Sequence, residues 1–203
     1  MDPKEVVRRG YDVLSHRYRA DDAGEADYAP WIAGLLERLP ERADVLDLGC
    51  GNGVPMARAL VNAGHAVTGV DLSEVQVERA RRLVPRASFL QGDATAVEFP
   101  TAAFDAVVCL YALIHVPLDE QQPLVRRVAG WLRPGGSLLA TTGDTAWTGS
   151  EQGWLGGDAT MWWSHADRAT YRAWFTAAGL EVVTEGFQPE GDSGHAVFWC
   201  RKS

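Results

Sequence analysis

The run Val45-Leu-Asp-Leu-Gly-Cys-Gly-Asn-Gly-Val-Pro55 constrains this chain more than any other stretch. An apolar segment carrying one acid leads directly into glycines at 49, 51 and 53. A buried strand ending on such a turn lets the backbone approach a ligand at the carboxyl edge of a parallel sheet. The dinucleotide pattern G-x-G-x-x-G is incomplete, because Val54 stands where its third glycine belongs.

The remaining pattern alternates as such a fold requires. Asp2-Pro3-x-Glu5 reads as a helix start, with Val7, Tyr11, Leu14 and Tyr18 following at helical spacing. A second helix is expected over 28–39, a strand over 45–48, a helix over 54–63 and a strand over 66–70. Ser73-x-x-Gln76 reads as a capping box for the next helix. Strands over 88–91 and 106–110 follow, then a helix capped by Asp119-x-x-Gln122 and a strand over 137–142. A helix over 167–178, with Ser164-x-x-Asp167 as a capping box, and strands over 180–187 and 195–201 complete the pattern. The spacing predicts a doubly wound, mostly parallel seven-stranded α/β sheet with a C-terminal antiparallel hairpin. Only 143–165 lacks periodicity and reads as a long loop, functional or disordered.

With 203 residues, 46% of them hydrophobic, the chain is expected to form a single domain, 1–203, with a full core. A formal charge of −8 argues against nucleic acid, whose phosphates ask for a basic surface. Cys50, Cys109 and Cys200 show neither metal-ligand spacing nor a disulfide framework. No apolar signal core opens the sequence, and the longest apolar run, 106–114, is too short to cross a bilayer. A reduced, cytoplasmic setting is expected, without membrane or nucleic-acid partners and with the oligomeric state open.

Asp71 closes the second strand, where an acid accepts both ribose hydroxyls of a nucleotide. So far NAD and S-adenosylmethionine fit equally. Asp47, just before the glycines, repels a pyrophosphate but suits an ammonium-bearing amino-acid tail. Val54 loosens the turn that pyrophosphate binding requires. Gly92-Asp93-Ala94 follows the third strand, where Asp93 can accept from an adenine amino group and the Ala94 amide can meet a ring nitrogen.

Asp47-x-Gly49-x-Gly51-x-Gly53, Gly69-Val-Asp71, Gly92-Asp93-Ala94, Phe104-Asp105-Ala-Val-Val and Leu132-Arg-Pro-Gly-Gly-Ser137 resemble the ordered motifs of class I S-adenosylmethionine-dependent methyltransferases. The resemblance covers about 40–142 and implies a Rossmann-like methyltransferase fold with S-adenosylmethionine as cofactor and S-adenosylhomocysteine as product. It implies cofactor contacts from Cys50, Leu72, Gln76 and Leu110 beside those named above. It also implies a helical lid, 1–40, whose Tyr11 and Tyr18 reach the cofactor carboxylate; an amphipathic packing helix is the alternative. The 143–166 loop becomes the substrate side.

His115, after the fourth strand, can titrate near neutral pH and is the candidate catalytic base, with Tyr111 beside it. The alternative is a histidine that only bonds a turn. Trp147, Trp154, Trp162 and Trp163 suggest an aromatic lid over an apolar, planar or cationic substrate, with Trp154, Trp162 and His165 as substrate contacts. A loop-pinning cluster explains the tryptophans as well. His16, His65 and His195 lack a supporting constellation. No Asp/Asn-Pro-Pro-Tyr segment follows the fourth strand, and Cys109 stands where metal-dependent relatives place a carboxylate, so no metal is expected. The leading expectation is methyl transfer to an oxygen or nitrogen of a small molecule. The rivals are a non-methylating cyclase-like or regulatory relative and a nicotinamide oxidoreductase, against which Asp47 and Val54 argue.

Overall fold

The computed structural model describes residues 2–203; Met1, the first residue of the expected lid segment, lies outside the described residues. Two helices, α1 (Pro3–Tyr18) and α2 (Ala29–Leu36), precede the alternating part. It runs β1 (Asp44–Leu48), α3 (Met56–Asn62), β2 (Ala66–Asp71), α4 (Glu74–Leu83), β3 (Ser88–Gln91), β4 (Phe104–Cys109), α5 (Leu118–Trp131) and β5 (Leu132–Gly143). Then come β6 (Trp147–Gln152), β7 (Thr160–His165), α6 (Arg168–Ala177), β8 (Leu180–Glu190) and β9 (Ser193–Lys202).

The main sheet has seven strands in the order β3-β2-β1-β4-β5-β9-β8, with β9 antiparallel to both its neighbours. β1 leads to β2 on one side while β4 lies on the other, so the switch point opens between β1 and β4. Both faces are covered, which is why the central strands are almost wholly apolar. Val45, Val67 and Val108 face a layer containing Trp31, Leu35, Leu60 and Val77. Leu46, Leu48 and Val107 face the opposite layer, with Leu124, Val128, Tyr171 and Phe175. Leu46 and Leu48 have no exposed surface, and truncating either to alanine is expected to cost about 2–5 kcal/mol.

Several local expectations are corrected. The stretch 143–165 is not a structureless loop: β6 and β7 form a separate antiparallel hairpin, from Trp147 opposite His165 to Gln152 opposite Thr160. The α5 capping box does not form, because the helix starts at Leu118 behind Pro117 and has no side-chain cap. Asp119 and Glu120 instead sit in its first turn, where their charge favours the positive end of the helix. Asp167 alone caps α6, accepting from the Thr170 amide at 2.8 Å, while Ser164 lies in β7 and bonds Thr148. Ser73 caps α4 by accepting from the Gln76 amide at 3.1 Å, but the Gln76 side chain accepts from Ser15 rather than reaching back. The helix after the glycine turn begins at Met56, not at 54.

α1 lies across the carboxyl edge of the sheet and is stitched down by polar contacts. The Ser73 hydroxyl donates to Asp12 at 2.6 Å, and buried Arg79 donates to the Ser15 hydroxyl at 2.6 Å and to the Arg19 carbonyl at 2.7 Å. Lys4 bonds Asp93 at 2.8 Å and Glu120 at 2.5 Å, joining α1 to the β3 edge and to α5.

Candidate functional site

The glycine turn does what its residues require. Gly49 has φ +73°, and a Cβ there would lie 2.2 Å from that of Ala112, so packing alone demands glycine. Gly51 has φ +53°, yet a Cβ there meets nothing closer than Gln76 at 4.0 Å. Its bareness leaves room on the ligand side. A cavity of about 770 Å³ runs from this turn along the switch point, lined among others by Tyr11, Tyr18, Gly49, Gly51, Asp71, Leu72, Gln76, Asp93, Ala94 and Leu110. Ten of the twelve expected cofactor contacts thus meet in one space.

Asp71 accepts from the Gly51 and Ser73 amides, each at 2.9 Å, which aims the carboxylate and leaves further lone pairs toward the cavity. Burial still raises its pKa to about 6. Asp93 accepts from the Thr95 amide at 2.8 Å and hydroxyl at 2.9 Å and from Lys4 at 2.8 Å. Burial pushes its pKa up, but these donors outweigh it and hold the carboxyl below its usual range. Lys4 also lines the cavity; as a single charge in a helix's first turn it carried no signal in the sequence.

Asp47 and Cys50, the other two expected contacts, line an adjoining cavity of about 410 Å³ with Arg19, Tyr18, Tyr28 and the same glycines. Asp47 is 4% exposed and has no hydrogen-bond donor among the described residues; burial, with Asp71 adding repulsion, raises its pKa to about 7. A buried carboxyl without a partner marks a place for a cation. Arg19, missed in the sequence, donates to the Tyr28 hydroxyl at 2.7 Å and lines the same cavity. An acid and a guanidinium facing one space fit the two ends of an amino-acid zwitterion. With Asp71 for a ribose and Asp93 and Ala94 for an adenine, the residues present fit S-adenosylmethionine.

A third cavity, of about 950 Å³, lies beyond a ring of Tyr11, Tyr18, Tyr111 and His115 that it shares with the first. At this junction His115 Nδ1 lies 2.7 Å from the Trp162 carbonyl and Nε2 lies 2.9 Å from the Tyr11 hydroxyl. A carbonyl only accepts, so Nδ1 carries the hydrogen and Nε2 accepts from Tyr11. The Tyr11 hydroxyl therefore pairs with His115. Burial lowers the His115 pKa to about 4, partly offset by the Trp162 carbonyl. The expectation of titration near neutrality is thus corrected: the ring is neutral across the physiological range. Tyr111 has φ +57°, a strained conformation for a tyrosine, with its amide bonded to the Thr141 hydroxyl at 2.6 Å.

The β6–β7 hairpin walls this third cavity. Trp154 and Trp163 meet edge to face at 5.7 Å, and Trp147 lies 6.1 Å from Trp163. Trp154 and His165 line the cavity as expected, but Trp162 does not; its neighbour Trp163 supplies the ring, and Trp162 contributes its carbonyl to His115. Glu151, Asp144 and Glu190 line the space, and no lysine or arginine does. His195, expected to lack a constellation, lines it as well and lies 2.7 Å from Glu190. Among the described residues, no cluster of three His, Cys, Asp or Glu is placed to hold a metal ion.

Fold and site together define a Rossmann-like α/β protein with a cavity at its glycine turn, an adjoining pocket lined by Asp47 and Arg19, and an aromatic chamber beyond them. A family profile described as a methyltransferase domain matches residues 45–136. The chain is 37% identical over 157 residues to 27-O-demethylrifamycin SV methyltransferase of Amycolatopsis mediterranei (strain S699), covering 65% of this chain and 56% of that protein. It is 31% identical over 203 residues to methyltransferase GfsG of Streptomyces halstedii, covering 89% of this chain and 72% of that protein. In fold it is similar to magnesium protoporphyrin IX methyltransferase (ChlM) from Synechocystis PCC 6803, solved with bound SAM. The TM-score is 0.77 at 20% identity, over 100% of this chain and 98% of that one. The chain belongs to the class I S-adenosylmethionine-dependent methyltransferase family. It spans about half or less of the length of several curated relatives that it matches.

Proposed function

We propose that this protein transfers the methyl group of S-adenosylmethionine to an oxygen or nitrogen of a small, largely apolar acceptor. The observation that carries the reading is the junction of two chambers. One is lined by Asp71, Asp93 and the glycine turn, with the Asp47 and Arg19 pocket adjoining, and the other is walled by tryptophans; they meet at Tyr11, Tyr18, Tyr111 and His115. When bound, S-adenosylmethionine supplies a methyl group already activated on a sulfonium. The chain's task is then to hold the nucleophile close, in line and away from water.

The aromatic walls exclude water and favour an apolar ring. Three acidic residues and no lysine or arginine in the lining favour a neutral or cationic acceptor over an anionic one. His115, neutral at physiological pH, accepts from the Tyr11 hydroxyl at Nε2 and so fixes the Tyr11 ring where the two chambers meet. Trp154, Trp163, His165 and Tyr111 shape the acceptor, while α1, within the lid segment 1–40, closes over the cofactor. The chain acts as one domain, 1–203. Cys50, Cys109 and Cys200 are buried and free, which suits a reducing, cytoplasmic setting.

Incubation with methyl-labelled S-adenosylmethionine and a panel of small phenols and amines tests the reading. Label is expected in a small organic product, with one S-adenosylhomocysteine released per methyl transferred. Tight binding of S-adenosylhomocysteine with no transfer across the panel would favour a non-methylating role.

A further inference from the structure

His115 has no free nitrogen: Nδ1–H donates to the Trp162 carbonyl and Nε2 accepts from Tyr11. Its ring is a weak base, with a pKa near 4. A protonated nucleophile in the aromatic chamber needs another proton acceptor. Nδ1 of His195 is a buried side-chain nitrogen that lacks any hydrogen-bond partner among the described residues. His195 lines the chamber, 14% exposed, with its ring edge to face with Tyr111 at 5.1 Å. Its other nitrogen, Nε2, lies 2.7 Å from the Glu190 carboxylate.

The strand pairing explains the contact. Gln188 lies opposite His195 and Glu190 opposite Ser193, so Glu190 and His195 are diagonal neighbours on one face of the β8–β9 hairpin. A bond from His195 holds the Glu190 carboxyl below its usual range, which keeps it an acceptor. Nε2 must then carry the hydrogen, leaving the Nδ1 lone pair free. A carboxylate on one imidazole nitrogen and a vacant lone pair on the other is the arrangement of an oriented base.

We propose that Glu190 and His195 form the proton-accepting pair of the chamber. His195 Nδ1 takes the proton of a hydroxyl nucleophile on an apolar framework, and Glu190 positions the ring and steadies the imidazolium. This rests on the reading of the chain as a methyltransferase. The acceptor's O–H bond gives its proton to Nδ1 as the oxygen forms the new O–CH3 bond. The methyl–sulfur bond breaks with its electron pair retained on sulfur, leaving S-adenosylhomocysteine, and the imidazolium later returns its proton to solvent. The charged ring faces Glu190 on its own hairpin, with His115 and His165 as its imidazole neighbours. His195 is thus a catalytic residue and Glu190 a positioning residue.

The test uses the full chain with ¹⁵N-labelled histidine, bound to S-adenosylhomocysteine. Nitrogen shifts are expected to show His195 as the Nε2–H tautomer at neutral pH, turning to a mixture in Glu190→Gln. Phenol as a probe should move the Nδ1 resonance, while toluene should not. A wild-type Nδ1–H tautomer, or an Nδ1 resonance indifferent to phenol, would overturn the proposal. In turnover with an acceptor found by label transfer, His195→Gln and His195→Ala should each slow kcat about 10²–10⁴-fold while leaving S-adenosylhomocysteine affinity within about twofold. Wild-type kcat in either variant would also overturn it. The expected nitrogen shifts without any turnover by the wild type would sink the methyl-transfer reading and leave the pair standing.

Discussion

Asp47 offers a sharp test, because the closed site holds its carboxyl against its preference. Burial and the nearby Asp71 raise its pKa to about 7, and no protein donor compensates it. An ammonium group entering the pocket needs the ionised form. Apparent affinity then weakens by 1 + 10^(pKa − pH), which is about elevenfold at pH 6 and about 1.1-fold at pH 8. Binding of S-adenosylhomocysteine should therefore be about tenfold weaker at pH 6, or roughly 1.4 kcal/mol. Asp71, with its pKa near 6, adds at most about twofold at pH 6. Calorimetry in buffers of different ionisation enthalpy should count about 0.9 proton released per ligand from Asp47 at pH 6, with up to about 0.5 more from Asp71, and almost none at pH 8. Asp47→Asn should flatten most of the dependence and weaken binding at pH 8 by about 1.5–3 kcal/mol. Without ligand the same variant should be the more stable protein at pH 8, by up to about 4 kcal/mol, since it removes a carboxylate ionised against its surroundings. Wild-type affinity that stays level from pH 6 to 8, with no proton release, would refute the reasoning.

His115 works in the opposite direction. Its folded pKa of about 4 lies below the ordinary 6.5, so the unfolded chain takes the proton first and stability falls as pH drops through that window. Relative to His115→Gln, the wild type should lose about 2 kcal/mol between pH 7 and 5 in urea unfolding; an unchanged difference would show that the ring is not buried and neutral. Gly51→Val should fold, with about 1–2 kcal/mol lost to its left-handed backbone, yet fail to bind S-adenosylhomocysteine in calorimetry; normal binding would remove the turn from the site. Trp163→Ala should raise the acceptor KM roughly tenfold while Trp162→Phe leaves it unchanged, since Trp163 supplies the chamber wall; equal effects would contradict that assignment.

The parallel strands were legible because burial on both faces forces uninterrupted apolar runs such as those of β1 and β4. The glycine turn and Asp71 were legible because their chemistry is local. The β6–β7 hairpin was not: most of β6 is exposed and polar, so no burial periodicity marks it, and its order comes from pairing with β7 and from tryptophans packing across it. Trp162 and Trp163 are adjacent, and strand phase decides which ring faces the chamber; without the strand, sequence cannot choose between them. Lys4 and Arg19 act through partners far along the chain or across a cavity. Glu190 and His195 meet only because a turn folds one strand back on another. The environment of His115 was hidden for a similar reason, since its burial depends on α1 and β7 closing over it.

A crystal structure of the complex with S-adenosylhomocysteine tests the central claim most directly. The amino-acid tail is expected between Asp47 and Arg19, the ribose hydroxyls on Asp71, the adenine beside Asp93 and Ala94, and the sulfur at the ring of Tyr11, Tyr18, Tyr111 and His115, facing the tryptophan-walled chamber. A sulfur turned away from that chamber, or a ligand bound elsewhere, would contradict methyl transfer at this site.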